Sequence, residues 1–100
     1  MGWVKDALAA LEHGEPARVR PHGGSMRGRI ESGQLVTIVR TTIADVAVDE
    51  VVFVGWRGNY LLHLVVEREP DRVLIGNNVG KTNGWVDAGD ILGRVVDVTA

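Results

Sequence analysis

The sequence predicts a small, mainly β domain that begins with one short helix. After Pro16 the spacing of apolar residues changes from a helical period to alternating or continuous runs, and it stays so to the C-terminus. The later segments are rich in Val and Ile, the residues that favour strands. At 100 residues the chain is long enough for a single modest core, so residues 1–100 are predicted to form one domain.

The predicted helix covers residues 3–12, within an N-terminal region 1–14 that ends at Gly14, a natural helix stop. Its apolar residues recur at intervals of three and four: Trp3, Val4, Ala7, Leu8 and Leu11. With Lys5 as its one basic residue, this short segment is a poor membrane anchor, and we expect it to pack on its own sheet.

The β body is predicted to cover residues 17–98, with strands at 17–21, 34–40, 50–56, 60–68, 72–76 and 91–98. Arg57-Gly58-Asn59 and Glu69-Pro70-Asp71 are tight turn signals, so the three strands that they join should be consecutive and antiparallel. Residues 77–90 contain three glycines and few strongly apolar side chains, which predicts one long loop with an ordered middle.

Composition excludes several functional classes. The 11 basic and 13 acidic residues give a net charge of −2, so we expect no nucleic-acid partner. With no cysteine and three scattered histidines, we expect neither a metal site nor a cofactor. No apolar run approaches the ~20 residues that span a bilayer. We therefore expect a cytoplasmic protein without a membrane anchor, folding alone or as a homodimer.

The stretch Pro21-His22-Gly23-Gly24-Ser25-Met26 is the strongest functional signal. Its glycines permit a sharp bend that presents the serine hydroxyl, and a serine becomes a good nucleophile only beside a base. His63, on a predicted strand, is the candidate base. The alternatives are that Ser25 is a turn residue and His63 a half-buried structural residue; His22 is a rival base that we expect to be an exposed spectator.

Six short motifs occur in one order: Gly23-Gly24-Ser25-Met26, Gly33-Gln34-Leu35-Val36, Asp49-Glu50-Val51-Val52, Leu62-His63-Leu64-Val65-Val66, Gly76-Asn77-Asn78 and Leu92-Gly93-Arg94-Val95-Val96. Over residues 18–98 this order resembles the catalytic domain shared by type I signal peptidases and LexA-like self-cleaving repressors. The resemblance implies a small β domain of coiled antiparallel strands.

The resemblance also implies roles for individual residues. Ser25 stands at the nucleophile position and His63 at the base position, in a context similar to the histidine-type enzymes, with Leu64 where these have arginine. The backbone N–H groups of the turn at residues 23–25 would form the oxyanion hole, and Met26 would pack below the turn. Trp85, in the predicted loop, is the candidate aromatic for lining the peptide cleft.

The main departure from the family pattern is the missing acid. Where histidine-type enzymes carry an aspartate that orients the imidazole, this chain has Asn77, which is the candidate orienter through its amide oxygen. Loss of such a carboxylate lowers the rate of a serine enzyme strongly. Asp87 and Asp90 lie nearby in sequence but not at the motif position.

The sequence therefore predicts a serine endopeptidase that acts on an extended peptide through a Ser25–His63 dyad. The alternative is a catalytically impaired member of the same fold that serves as a peptide-binding or regulatory module. Self-cleavage is disfavoured because the one Ala-Gly pair, Ala88-Gly89, lies near the C-terminus. An RNA-binding β-barrel is disfavoured by the charge and by the lack of an aromatic stacking set.

Overall fold

A computed structural model describes residues 2–22, 26, 28–78 and 80–100. One helix precedes seven strands: α1 Trp3–Glu12, β1 Ala17–Val19, β2 Leu35–Arg40, β3 Val51–Trp56, β4 Asn59–Arg68, β5 Arg72–Gly76, β6 Thr82–Asp87 and β7 Ile91–Thr99. The strands form one antiparallel sheet in the order β1-β2-β7-β3-β4-β5-β6. The predicted mainly β class with one N-terminal helix is confirmed, and all six predicted strands are present with ends that differ by at most two residues.

Helix α1 has the predicted bounds, and it packs mainly on β1. Ala7 and Leu11 are its buried residues, four positions apart on one face, as the apolar spacing requires. Within the described part of the chain, no helix combines the length and the apolar composition needed to cross a membrane.

The β3–β4 hairpin fixes the position of His63. Arg57 and Gly58 form its two-residue turn with φ values of 48° and 80°, which is the combination that a type I′ turn requires. The turn sets a register in which Trp56 pairs with Asn59 and Val52 pairs with His63. A slip of one residue would move the imidazole to the opposite face of the sheet.

The predicted loop at residues 77–90 is a correction. Residues Thr82–Asp87 form the edge strand β6, which pairs with β5, and Ala88–Asp90 form a short 3₁₀ turn. The strand lacks a local signal because it carries polar residues and Gly84. Backbone pairing with β5 holds it in place, and the Trp56 ring packs over Gly84.

The buried side chains form two clusters. One lies beneath α1 and includes Phe53, Ile38, Val36 and Met26, and the other is built from valines and isoleucines of β3, β4, β5, β6 and β7. Register shifts interrupt four of the strand pairings. Among the described residues, His63 is the one buried polar side chain, so its imidazole requires a partner inside the fold.

Candidate active site

His63 is held by a hydrogen bond to the backbone of its own strand. The side chain is 6% exposed, and its Nδ1 atom lies 2.5 Å from the carbonyl oxygen of Leu62. A carbonyl oxygen can only accept, so Nδ1 must carry the proton in this bond. The neutral ring then has its lone pair on Nε2, which is the form that a general base needs.

This contact supplies part of what the missing aspartate would supply. In a serine–histidine–aspartate triad the acid fixes the imidazole tautomer and stabilises the cation that forms. The Leu62 carbonyl fixes the tautomer, but as a neutral dipole it stabilises the imidazolium less than a carboxylate does. No sequence motif marks a backbone acceptor, and for that reason the sequence offered no signal for this role.

His63 lies on the wall of a cavity of about 210 Å³. The cavity lies between the start of α1, the segment before β2 and the start of β4. Its walls are mostly apolar, and its described lining residues are Trp3, Pro21, His22, Met26, Ile30, Glu31, Tyr60, Leu61, Leu62 and His63. The base candidate thus shares one concavity with apolar and aromatic side chains, the usual lining of a ligand site.

The predicted nucleophile and oxyanion residues, Ser25, Gly23 and Gly24, lie outside the described residues. Their neighbours on both sides in the sequence, His22 and Met26, line the cavity that contains His63. Met26 is 5% exposed and belongs to the core beneath α1. The residues that bracket the serine turn and the residue at the base position therefore border the same space.

His22, the rival base, has a partner of its own. Its Nδ1 lies 3.3 Å from the Oγ of Ser32, and the side chain is exposed although it contributes to the cavity wall. The long, exposed contact is weaker than the buried bond that orients His63. His63 is therefore the better-ordered imidazole of the two.

Asn77, the candidate orienter of His63, makes hydrogen bonds within the β5–β6 turn. It lies one residue beyond β5, and the pairing of Leu64 with Gly76 makes it the next residue opposite His63 in register. Its amide oxygen, however, accepts the Lys81 N–H at 2.9 Å, while its own N–H donates to the Lys81 carbonyl at 2.8 Å. The side chain closes the β5–β6 turn, and the Leu62 carbonyl is a hydrogen-bond partner of the His63 ring; an orienting role of Asn77 stays a prediction.

Trp85, the candidate aromatic for the peptide cleft, is not among the described residues that line this cavity. Trp85 lies on β6 opposite Leu74, and the Arg72 guanidinium covers its ring at 4.2 Å from the centroid. A hydrogen bond to Glu69 raises the pKa of that guanidinium. The indole in the cavity wall belongs to Trp3 instead, which the helix places there. The apolar spacing of α1 marked Trp3 only as a packing residue.

Glu31 is the one carboxylate among the described residues of the cavity wall, and it serves the neighbouring turn. Its Oε2 accepts the Gly28 N–H at 2.6 Å. The same turn is closed by the Met26 carbonyl, which accepts the N–H groups of Arg29 and Ile30 at 2.9 and 2.8 Å. The segment that follows Ser25 is therefore tightly hydrogen-bonded.

The described residues show no metal site, and the comparisons with known proteins found no match. The described residues contain no group of three or more His, Asp or Glu side chains arranged to hold a metal ion. No protein family, curated protein or solved structure matches the chain. The functional inference therefore depends on the chemistry of the site.

Proposed function

We propose that the protein is a serine endopeptidase in which Ser25 is the nucleophile and His63 the general base. One observation carries the proposal: a buried imidazole, with Nδ1 bound to the Leu62 carbonyl, shares a cavity with the residues that bracket Ser25. A turn serine and a structural histidine need not border a common cavity.

The chemistry follows that of other serine–histidine enzymes. Nε2 of His63 takes the Ser25 Oγ proton as Oγ attacks the peptide carbonyl, and the imidazolium then gives that proton to the leaving amine. Water, deprotonated by the same Nε2, hydrolyses the acyl-enzyme and regenerates the serine. Backbone N–H groups of residues 23–25 are the proposed donors to the oxyanion.

The strength of the base limits the expected rate. In a triad, replacing the aspartate by its amide lowers kcat by about 10⁴. The Leu62 carbonyl offsets the tautomer part of that loss, because it holds the proton on Nδ1. We therefore expect a slow peptidase, suited to few cleavages of one substrate protein rather than to general digestion.

The cavity supports a substrate with an apolar side chain close to the scissile bond. Trp3, Tyr60 and Met26 supply apolar surface to the cavity wall, and His63 lines the same cavity. At about 25 cal/mol per Å² of buried apolar surface, seating one such side chain contributes on the order of 2 kcal/mol to binding.

The test is labelling by a fluorophosphonate, whose phosphorus is attacked by an activated serine with loss of fluoride, so that the serine becomes phosphonylated. The wild type is compared with Ser25→Ala, His63→Gln and the control Ser32→Ala, and the labelled peptide is identified by mass spectrometry. We expect the wild type and Ser32→Ala to be labelled at Ser25 and the other two to remain unlabelled. Equal labelling of all four proteins would refute the dyad.

The alternative, a peptide-binding module without turnover, is favoured by one specific observation. Within the described residues the hydrogen-bond partner of the His63 ring is a neutral carbonyl rather than a carboxylate. This alternative predicts that an apolar peptide binds in calorimetry with equal affinity to the wild type and to Ser25→Ala, while no probe labels Ser25.

A further inference from the structure

Arg29, four residues after the predicted nucleophile, connects two separate parts of the fold. Its Nε donates to the amide oxygen of Asn78 at 3.0 Å, and its Nη1 donates to the carbonyl oxygen of Asp49 at 2.7 Å. The Asp49 carboxylate, 3.9 Å from Nη2, is 77% exposed and so adds little by charge. Directional hydrogen bonds from the planar guanidinium make this connection.

The turn around Arg29 also packs directly on Asn78. Gly28 has a φ of 96°, and a Cβ added to it would lie 3.0 Å from the Asn78 Nδ2. A larger residue at position 28 would therefore be strained and crowded at once. Ile30, two residues on, is 5% exposed and anchors the other side of the turn in the core.

Asn78 lies just beyond the end of β5, the strand that pairs with the His63-bearing strand β4. It follows Asn77, whose two hydrogen bonds with Lys81 close the turn after β5. β5 pairs with β4 so that Gly76 lies opposite Leu64, directly after His63. Arg29 thus joins the segment that follows Ser25 to the strand beside the candidate base.

We propose that Arg29, acting through Asn78, is a positioning residue that holds residues 28–30, which follow the predicted nucleophile in sequence, to the end of β5 beside the strand that carries His63. The proposal rests on the proposed function, because it assigns Arg29 to the reaction of Ser25. Arg29 is not a catalytic residue, since the cavity wall is formed by its neighbours Met26 and Ile30. A misplacement of about 1 Å between reacting groups costs on the order of 10²-fold in rate, and a clamp of this kind prevents it.

The test uses Arg29→Ala, Arg29→Lys, Asn78→Ala and the double variant Arg29→Ala/Asn78→Ala. The matched control is Arg68→Ala, because the Arg68 guanidinium also donates to a backbone carbonyl, that of Ile43 at 2.6 Å, and it does not line the cavity. Each variant is assayed for its rate of fluorophosphonate labelling at Ser25, well below its midpoint of thermal unfolding.

We expect Arg29→Ala to be labelled about 10²-fold more slowly than Arg68→Ala at a similar thermal midpoint. Lysine should restore little of the rate, because a point charge cannot bridge two acceptors as the guanidinium does. The double variant should be no slower than the slower single variant. Labelling of Arg29→Ala within about twofold of the control, or fully additive losses, would overturn the proposal.

Failure of the proposed function is separable from failure of the clamp. If the wild type is not labelled at Ser25, the peptidase assignment fails, and the clamp is then tested by amide hydrogen exchange. Arg29→Ala should accelerate exchange of the Arg29 and Ile30 N–H groups that bond the Met26 carbonyl, whereas Arg68→Ala should not. Equal exchange in the two variants would show that Arg29 positions nothing.

Discussion

Replacing Trp3 by alanine should remove stability and substrate binding together, because one indole serves both. Trp3 lies 5.7 Å from the ring of Phe53, packs on the core beneath α1 and lines the cavity beside His63. Truncation of a fully buried tryptophan costs about 3–5 kcal/mol. Trp3 is only partly buried, so we expect a loss of about 2–3 kcal/mol, including the aromatic contact. In a domain of this size such a loss lowers the thermal midpoint by about 10–20 °C.

Trp85, a tryptophan of the β body, provides the matched control. It lies on the edge strand β6 under the Arg72 guanidinium and outside the cavity wall. Urea unfolding measures the stability of both variants, and calorimetric titration with an apolar peptide, at a temperature where both are folded, measures binding. Trp3→Ala should weaken binding about tenfold or more, whereas Trp85→Ala should leave it unchanged. Equal affinities of the two variants, or weaker binding only for Trp85→Ala, would refute the assignment of the cavity as the peptide site.

Two further substitutions test how the strands that frame the site are held. Gly84→Ala should destabilise the protein by about 1–3 kcal/mol in urea unfolding, since the φ of Gly84 is 156° and the new Cβ would lie 2.7 Å from the Trp56 ring. The control Gly89→Ala should change the stability little, because the space around Gly89 is open. Glu50→Ala should lower the stability by about 1–2 kcal/mol, because the half-buried Glu50 carboxylate accepts hydrogen bonds from the Ala47 N–H and from the Arg94 guanidinium. The control Glu67→Ala removes an exposed carboxylate and should change the stability by no more than about 0.5 kcal/mol. A smaller loss for Gly84→Ala than for Gly89→Ala, or for Glu50→Ala than for Glu67→Ala, would contradict these contacts.

Local signals in the sequence are sufficient for most of the fold. Helix α1 follows from apolar residues spaced by three and four, and the β3–β4 hairpin follows from Arg57-Gly58, whose positive φ values suit a two-residue turn. Strand β6 was not predictable in this way. Its polar, glycine-containing sequence becomes a strand only because the edge of β5 offers hydrogen-bond partners from a different part of the chain.

The same division applies to the candidate site. The sequence alone determined the residue types: a glycine-flanked serine, a histidine on a strand and an asparagine where an acid is expected. Only the tertiary structure decided that the Leu62 carbonyl binds Nδ1 of His63, and that Trp3 is among the described residues that line the cavity while Trp85 is not. A backbone acceptor has no side-chain signature, and the wall that α1 contributes depends on where the helix packs, so neither is written in the local pattern of residues.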